Sequence, residues 1–379
     1  MQARTIIIAL ALVWQIGAAC GDETVWQYIP TEQGDWSDAG NWSDGVPTVE
    51  SGAAIMNGGT SVISSGYVNT SIMFGDRRDP HFGLYGAVIQ KGGVFVGSVH
   101  GAGEDGGGSY ILEGGELIAS MGNINLYHQS GGTATIEVGA PYGRLSMTGG
   151  MLSCGDLGSL AEVSISGGVV NAGDVGVEVF ITGGSVTVNN VRSARLQVRG
   201  GMTRFACKDL SIGESFCLGG TIVVDGSLTA DHIFELQASI HLIGSSSVFS
   251  APVDYGPHGE LIFEGGNGGW AAFELYSPDT GYNPADFLDP LNFIGFLGQL
   301  SVGGTQAANL KLTGSGEALY VHDIYVGPGS TLDLNGSHVY YDGAFVNEGQ
   351  IIGGYPIPEP ATLLLLALGG LVTIRRGRR

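Results

Sequence analysis

The amino-acid sequence predicts an all-β protein that folds as a right-handed parallel β-helix, or β-solenoid, with a signal helix at the N-terminus and a short hydrophobic helix at the C-terminus. Glycine accounts for 67 of the 379 residues, and Gly-Gly pairs recur at an even spacing. The segments between these pairs alternate apolar and polar residues, which is typical of strands with one buried face. No 3.6-residue helical period is sustained between residues 50 and 250.

Residues 1–20 have the three parts of a signal peptide. Arg4 gives a basic start, Thr5–Trp14 is an apolar run, and small residues follow it. An apolar core of about ten residues is too short for a stable transmembrane helix, which needs roughly 20. Cleavage is expected after Ala19 or Cys20. A lipid-modified Cys20 is the alternative, although the glycine three positions before it stands where such signals place a larger aliphatic residue.

Residues 21–50 are predicted to cap the first coil, because an uncovered end of a stacked sheet invites pairing with other chains. Three tryptophans in this segment could seal that end with large apolar side chains, namely Trp26, Trp36 and Trp42. In an exported protein these rings could instead stack on sugars. The Gly-x-Trp, Asn-Trp and Val-Pro elements between Gly34 and Pro47 resemble the start of autotransporter-type β-helix repeat proteins, and that resemblance implies a cap.

The Gly-Gly pairs define the repeat of the predicted parallel β-helix, residues 51–350. The flanking sequences are alike, as in Leu145-Ser-Met-Thr-Gly-Gly and Val163-Ser-Ile-Ser-Gly-Gly, and glycine supplies the positive φ of a tight corner. A unit of about 17–18 residues cannot bury its apolar face alone but can do so when stacked on its neighbours. A β-sandwich array or a β-propeller is the alternative, although propeller blades need about 40 residues. The first glycines of the evenly spaced pairs are Gly92, Gly114, Gly131, Gly149, Gly167, Gly183, Gly200 and Gly219.

The repeat loosens over residues 251–300, where turn-forming residues cluster between Tyr276 and Pro290. We expect an insertion or a bend of the solenoid there. Regular alternation returns at Leu310 and continues to Tyr341, so the last coils are expected in that segment.

Charge and composition restrict the class of partner. The chain has 36 Asp and Glu against 15 Lys and Arg, and a net charge of −21. Such a negative field repels phosphate backbones, whose binding depends on Lys and Arg, so nucleic acid is not expected as a partner. A hydrophobic content of 43% favours a folded core over disorder.

The sequence offers few groups for catalysis, and no catalytic residue is predicted. Lyases on parallel β-helices need a carboxylate cluster beside a basic residue, but no lysine lies at repeat spacing from such a cluster; the lysines are Lys91, Lys208 and Lys311. Inverting glycosidases need paired carboxylates. Asp156 and Asp174 are separated by one repeat period and could stack, and a second set comprises Asp209, Asp225 and Asp231. Solvated corner positions explain all of these carboxylates more simply.

Neither a metal site nor a cofactor is predicted. The four cysteines show no CxxC spacing and no histidine at ligand spacing; they are Cys20, Cys154, Cys207 and Cys217. A Cys207–Cys217 disulfide is permissible in an exported chain, and buried free thiols are the alternative. Calcium is a weak candidate for a turn-rich loop with Asp279, Asn283, Asp286 and Asp289, whose spacing matches no loop of fixed ligand order.

The end of the chain combines a short motif, an apolar stretch and a basic cluster. Pro358 and Pro360 keep Glu359 on an extended, accessible segment because proline does not continue a helix. The apolar run Ala361–Ile374 would make a helix of about 21 Å, shorter than a hydrocarbon core of about 30 Å. The terminal arginines should stay cytoplasmic and stop transfer, namely Arg375, Arg376, Arg378 and Arg379.

This order of features over residues 356–379 resembles the PEP-CTERM sorting signal of Gram-negative bacteria. The resemblance implies transient insertion into the inner membrane, processing by an exosortase-type protease and release toward the cell surface or extracellular matrix. It carries no information on the activity of the body.

The predicted function is therefore that of an exported, non-catalytic surface or extracellular-matrix protein with a structural or adhesive role, for which exopolysaccharide is a candidate partner. The rival hypothesis is a polysaccharide-degrading lyase or glycosidase on the same scaffold. A cleft lined by clustered carboxylates with an Arg or Lys nearby would favour the rival.

Overall fold

The structure, a computed structural model, describes residues 23–27, 32–75, 86–101, 107–136, 143–157, 162–176, 178–199, 203–244, 246–265, 268–281, 296–314 and 316–358. The predicted signal helix over residues 1–20 and the predicted C-terminal hydrophobic helix lie outside these ranges. Within them, the chain forms no helix with the length and apolar character needed to cross a bilayer. The chain divides into two compact units, residues 1–188 and 189–379.

The first unit is built of short strands joined by tight corners. Odd-numbered strands pair in parallel with one another in sheet A, and even-numbered strands do so in sheet B. Each coil of the chain thus contributes one strand to each sheet. The elements are β1 (Thr24–Val25), β2 (Gln33–Asp35), a 3-10 helix (Ala39–Asn41), β3 (Ala53–Ile55), β4 (Thr60–Ile63), β5 (Tyr67–Phe74), β6 (Ala87–Gln90), β7 (Val94–Gly101), β8 (Ser109–Leu112), β9 (Glu116–Gly122), β10 (Leu126–Gln129), β11 (Thr133–Ile136), β12 (Arg144–Met147), β13 (Met151–Cys154), β14 (Glu162–Ile165), β15 (Val169–Ala172), β16 (Val179–Ile181) and β17 (Ser185–Val188).

The second unit has the same organisation, with its strands in sheets C and D. Its elements are β18 (Asn190–Val198), β19 (Arg204–Cys207), β20 (Asp209–Leu218), β21 (Thr221–Val224), β22 (Leu228–Glu235), β23 (Ser239–Leu242), β24 (Val248–Ser250), β25 (Val253–Phe263), β26 (Trp270–Glu274), β27 (Ser277–Pro278), β28 (Phe296–Val302), β29 (Asn309–Thr313), β30 (Glu317–Val326), β31 (Thr331–Asp333), β32 (His338–Tyr341), β33 (Phe345–Asn347), β34 (Gln350–Ile352) and β35 (Ile357–Pro358). Sheet C contains β18, β20, β22, β24, β26, β29, β31 and β34. The start of β25 pairs with β22 of sheet C, whereas the rest of β25 and the other strands belong to sheet D. Strand β27 runs antiparallel to β30.

Both units are therefore parallel β-solenoids, as the repeat predicts, and the right-handed sense of winding stays a prediction. Their cores consist of side chains stacked in register. One column of sheet B runs through Tyr110, Tyr127, Leu145 and Val163, all of them buried. The apolar side chains of each coil are removed from water only because the neighbouring coils cover them. This burial stabilises the fold by about 25 cal/mol per Å² of buried apolar surface.

The Gly-Gly pairs form the corners that lead from sheet B into sheet A. Gly115 and Gly132, the second members of two pairs, have φ of 83° and 69°. A Cβ atom on Gly115 would lie 2.3 Å from the carbonyl oxygen of Gly93 in the preceding coil. Both the backbone angle and the close stacking thus require glycine, which confirms the corner prediction.

Two of these corners are held from inside the core by a glutamine and a tyrosine. Nε2 of Gln129 donates to the carbonyl oxygens of Gly131, Gly132 and Met151 at 3.2, 3.2 and 3.0 Å, and the Tyr127 hydroxyl donates to Oε1 of Gln129 at 3.0 Å. Gln90 and Tyr110 form an equivalent pair at 2.7 Å. Because both amides are fully buried, these bonds offset the cost of removing polar groups from water.

The three N-terminal tryptophans pack together inside the first unit. Trp42 makes edge-on contacts with Trp26 and Trp36 at ring-centroid distances of 4.7 and 4.8 Å, and its Nε1 donates to the Trp36 carbonyl oxygen at 2.9 Å. All three rings are at most 3% exposed. They therefore offer no face to a sugar, and the cap over residues 21–50 stays a prediction.

The coil spacing becomes irregular in the second unit, where the sequence predicts the looser segment 251–300. In sheet D, Glu260 pairs with Gln299, so this coil is more than twice as long as the repeat. In sheet C the same long coil leads from β26 to β29, and the two strands pair in register from Trp270↔Asn309 to Glu274↔Thr313. The strands on either side of the extra residues thus still pair in parallel, with a register shift in β25 between Gly256 and Glu260.

Candidate functional site

The predicted sorting motif begins at the edge of sheet D. Pro358 lies in β35, which pairs in parallel with β32 through Tyr340↔Ile357 and Tyr341↔Pro358. Proline lacks a backbone N–H, so an edge strand is one of the few sheet positions that accept it. The remaining predicted residues of the signal lie outside the described part of the chain, namely Glu359, Pro360, Arg375, Arg376, Arg378 and Arg379.

Strand β35 is fixed to the solenoid by aromatic packing. Ile357 packs against the cluster of Ala318, Tyr320 and Tyr340. The two tyrosine rings stack with centroids 5.2 Å apart and an interplanar angle of 18°. The folded body therefore extends to the first proline of the motif.

Asp279, a candidate calcium ligand in the sequence, is used for internal hydrogen bonds. Its Oδ2 lies 2.6 Å from Nδ1 of His338, and its Oδ1 accepts from the Tyr340 hydroxyl at 3.0 Å and from the Gly281 N–H at 3.2 Å. The other calcium candidates, Asn283, Asp286 and Asp289, lie outside the described residues. Among those described, no three His, Cys, Asp or Glu side chains form a group that could hold a metal ion.

The Asp279 contacts change the acidity of both partners. Burial alone would raise the pKa of Asp279, but the hydrogen bonds from His338, Gly281 and Tyr340 outweigh it and lower the pKa below the usual value of 3.8. Burial, followed by the hydrogen bond to Asp279, raises the pKa of Tyr340 to about 12. The cluster thus favours an ionised aspartate and a protonated phenol.

The stacked carboxylates of the sequence prediction are corner residues. Oδ1 of Asp156 accepts from the backbone N–H of Asp174 at 2.9 Å, so these two aspartates do lie on successive coils. Oδ1 of Asp209 accepts from the Ser227 N–H at 3.0 Å in the same manner. Asp156, Asp174 and Asp209 are exposed, as expected of solvated corners. The carboxylates of Asp156 and Asp209 thus link neighbouring coils; Asp225 and Asp231 occupy the following corner and strand.

The lysines stand at separate places in the fold. Lys91 follows β6 and Lys208 precedes β20, whereas Lys311 lies within β29 in register with Asp333 of β31. Lys311 is therefore beside one carboxylate of the next coil.

The cysteines for which the structure describes the thiol are free. Cys207 is buried and Cys154 partly buried, and burial raises the pKa of each thiol to about 12. Since Cys207 is a free thiol, the structure favours the alternative of buried thiols over a Cys207–Cys217 disulfide. Such thiols are poor nucleophiles and metal ligands at neutral pH.

One group of exposed aromatic residues was not identified from the sequence. Trp270 and Tyr276, each 44% exposed, flank Glu274 on the outer side of β26 and the residues after it. The signal was present as an alternation, because Ala271, Phe273 and Leu275 between them are buried. The turn-forming residues that follow Tyr276 obscured it.

Comparison with known families bears on the C-terminal end of the chain. Residues 356–379 match the family model of the PEP-CTERM protein-sorting motif, which confirms the predicted resemblance. The match implies processing by an exosortase and export to the cell surface. No curated protein and no solved structure matches the chain.

Proposed function

This chain is a PEP-CTERM, exosortase-sorted protein with a β-solenoid body, and on that premise we propose that it is a non-catalytic protein of the cell surface or extracellular matrix with a structural or adhesive role. The observation that carries the proposal is the sorting motif, which starts on the last strand of the solenoid. In this proposal the solenoid is the exported body, and the tail serves its transport.

The tail is a temporary anchor in this proposal. Its apolar run, Ala361–Ile374, is short for a hydrocarbon core, so it holds the membrane weakly and transiently. An exosortase-type protease of a Gram-negative inner membrane is the processing partner, and the signal peptide over residues 1–20 starts the export. Cleavage near Pro358, Glu359 and Pro360 then frees the solenoid.

The non-catalytic role is supported by how the carboxylates are used. Asp156 and Asp209 link successive coils, and Asp279 is bound by His338 and Tyr340. The strong net negative charge makes nucleic acid an unsuitable partner, whereas exopolysaccharide is compatible with a surface location.

Sorting is tested by replacing Pro358, Glu359 and Pro360 with alanine in the full chain, expressed in a host that contains an exosortase. We expect the variant to stay uncleaved in the inner-membrane fraction while the unaltered chain reaches the surface or medium. Equal release of both forms would contradict exosortase sorting.

Absence of catalysis is tested on the exported protein. A screen against neutral and acidic polysaccharides, with and without calcium, should give no new reducing ends and no unsaturated products. Turnover of any substrate would favour the rival lyase or glycosidase.

A further inference from the structure

The outer side of β26 presents two aromatic rings in one line. Along this strand and the residues after it, Trp270, Glu274 and Tyr276 point to solvent while Phe273 and Leu275 point to the core. The four residue steps of β26 from Trp270 to Glu274 cover about 13 Å, and Tyr276 follows two residues later with its hydroxyl on the Glu274 carboxylate. The apolar faces of aromatic side chains in such exposed positions are removed from water only when a ligand covers them, and this removal is favourable.

Hydrogen-bonding side chains from the neighbouring coils surround this line. Trp270 lies in register with Asn309, and Glu274 lies in register with Ser250 on one side and Thr313 on the other. Amide, hydroxyl and carboxylate groups therefore stand between and beside the aromatic rings. This combination of flat apolar faces and convergent polar groups is what the hydroxyl-rich, partly apolar surface of a sugar requires.

The Tyr276 ring is held in place before any ligand arrives. Its hydroxyl donates to Oε2 of Glu274 at 2.9 Å and lies 2.6 Å from Oγ of Ser250, which in turn donates to the same carboxylate oxygen at 2.5 Å. A pocket opens beside this ring, with Leu275, Leu297 and Leu319 in its wall. Because the ring is fixed, less conformational entropy is lost when a ligand stacks on it.

We propose that the outer surface along β26 and the two residues after it binds an uncharged, linear polysaccharide through Trp270, Glu274, Tyr276, Ser250, Asn309 and Thr313. The two rings stack on different sugar units of the same chain, and the polar side chains bind the hydroxyl groups between them. The ligand is uncharged because the chain has a net charge of −21, which repels acidic glycans. The proposal rests on the proposed surface function and gives its exopolysaccharide partner a site.

A protein partner fits this surface less well. Protein interfaces bury a contiguous apolar centre inside a polar rim. Here Glu274 lies between the two aromatic residues, and Lys311 stands next to this line, in register with Ala272. The apolar area is thus divided, as suits a chain of sugars with alternating apolar faces and hydroxyl edges.

The test uses the exported protein, purified after its C-terminal tail has been processed. Affinity electrophoresis through gels with a neutral β-glucan, mannan or xylan, and with alginate as an acidic comparison, measures the apparent dissociation constant. Trp270→Ala and Tyr276→Ala should each weaken binding to the neutral glycan about tenfold. Trp270→Phe, which keeps a ring, should lose less, and Tyr67→Ala is the matched control because Tyr67 is an exposed aromatic residue of the first unit.

Three results are decisive. Retardation of the unaltered protein that is lost in the double variant Trp270→Ala/Tyr276→Ala, but not in the control, supports the site. Unchanged retardation of the double variant overturns the site while glycan contact by the protein stands. If no neutral glycan retards the unaltered protein, the proposed glycan contact itself is overturned. The proposed sorting and the absence of turnover are tested separately, by the experiments described under the proposed function.

Discussion

Asp279 and His338 are 59 residues apart in the sequence, yet Oδ2 of the aspartate lies 2.6 Å from Nδ1 of the histidine. The pair joins the residue after β27 to the first residue of β32. Tyr340 of the same strand binds the other carboxylate oxygen and stacks on Tyr320. This contact therefore stabilises strand β32 at the edge of the sheet, and β32 is the strand with which β35 and Pro358 pair.

We expect Asp279→Asn to destabilise the protein by about 1–2 kcal/mol at pH 7, because charged hydrogen bonds are lost. A folded-state pKa below the usual 3.8 means that the ionised form stabilises the fold. This contribution is complete above about pH 3.8 and disappears as the pH falls through the lowered pKa, so the deficit of the variant should shrink there. Thermal melts between pH 7 and pH 3 measure it.

The exposed Asp231 gives the control for this experiment. Asp231→Asn should shift the melting temperature little at any pH in the same range. A deficit of Asp279→Asn that stayed constant down to pH 3 would speak against the ionised contact.

Gly115→Ala should be far more costly than Gly66→Ala. The two glycines have φ of 83° and 85°, but an added Cβ meets a carbonyl oxygen at 2.3 Å at Gly115 and nothing within 4 Å at Gly66. We expect about 1–2 kcal/mol for the backbone angle alone at Gly66, and at least about 3 kcal/mol at Gly115. Urea unfolding measures both, and equal losses would refute the close stacking of coils.

Tyr127→Phe should destabilise the first unit by about 1–3 kcal/mol, because the buried Oε1 of Gln129 loses its donor. Gln129→Leu should cost less when added to Tyr127→Phe than in the unaltered protein, because it then also removes the buried Oε1 that has lost its donor. The neighbouring coils carry Leu112 and Met147 at the position of Gln129, so an apolar side chain fits there. Additive losses in the double variant, measured by chemical unfolding, would mean that the two side chains act independently.

Variants of Asp156 distinguish a structural role at the corner from a catalytic role. Asp156→Asn keeps an oxygen that can accept from the Asp174 N–H and should change stability by less than about 0.5 kcal/mol, whereas Asp156→Ala should cost about 1 kcal/mol. Neither variant should alter glycan binding at Trp270. If the exported protein degraded a polysaccharide and Asp156→Asn abolished this, the corner interpretation would fail.

The parts of the fold that depend on backbone geometry were predictable from the sequence. The pairs such as Gly92-Gly93 marked the corners because only glycine has both the required φ and no side chain. The alternation around Leu145 and Val163 indicated the buried faces of the strands, because successive side chains of a strand point to opposite sides. The sorting motif that begins at Pro358 was also recognisable, because all of its features follow one another in a contiguous segment.

Contacts between distant coils were not predictable in the same way. The pairing of Asp279 with His338 depends on a coil that is longer than the repeat, so spacing gave no sign of it. Gln129 looked like any polar residue before a corner, and only the stacked coils surround its amide with carbonyl groups. The line from Trp270 to Tyr276 was hidden by the turn-forming residues beside it.

Unequal coil lengths have a consequence for how such a chain can evolve. The coil that leads from Val163 to its partner Val179 is short, whereas the coil from Glu260 to its partner Gln299 is more than twice as long. Both coils return to parallel pairing, the long one after a register shift between Gly256 and Glu260. Insertions and deletions between strands are therefore absorbed outside the sheets, at a loop entropy that grows only slowly with length. New surface segments can be gained or lost by single genetic events without rebuilding the core.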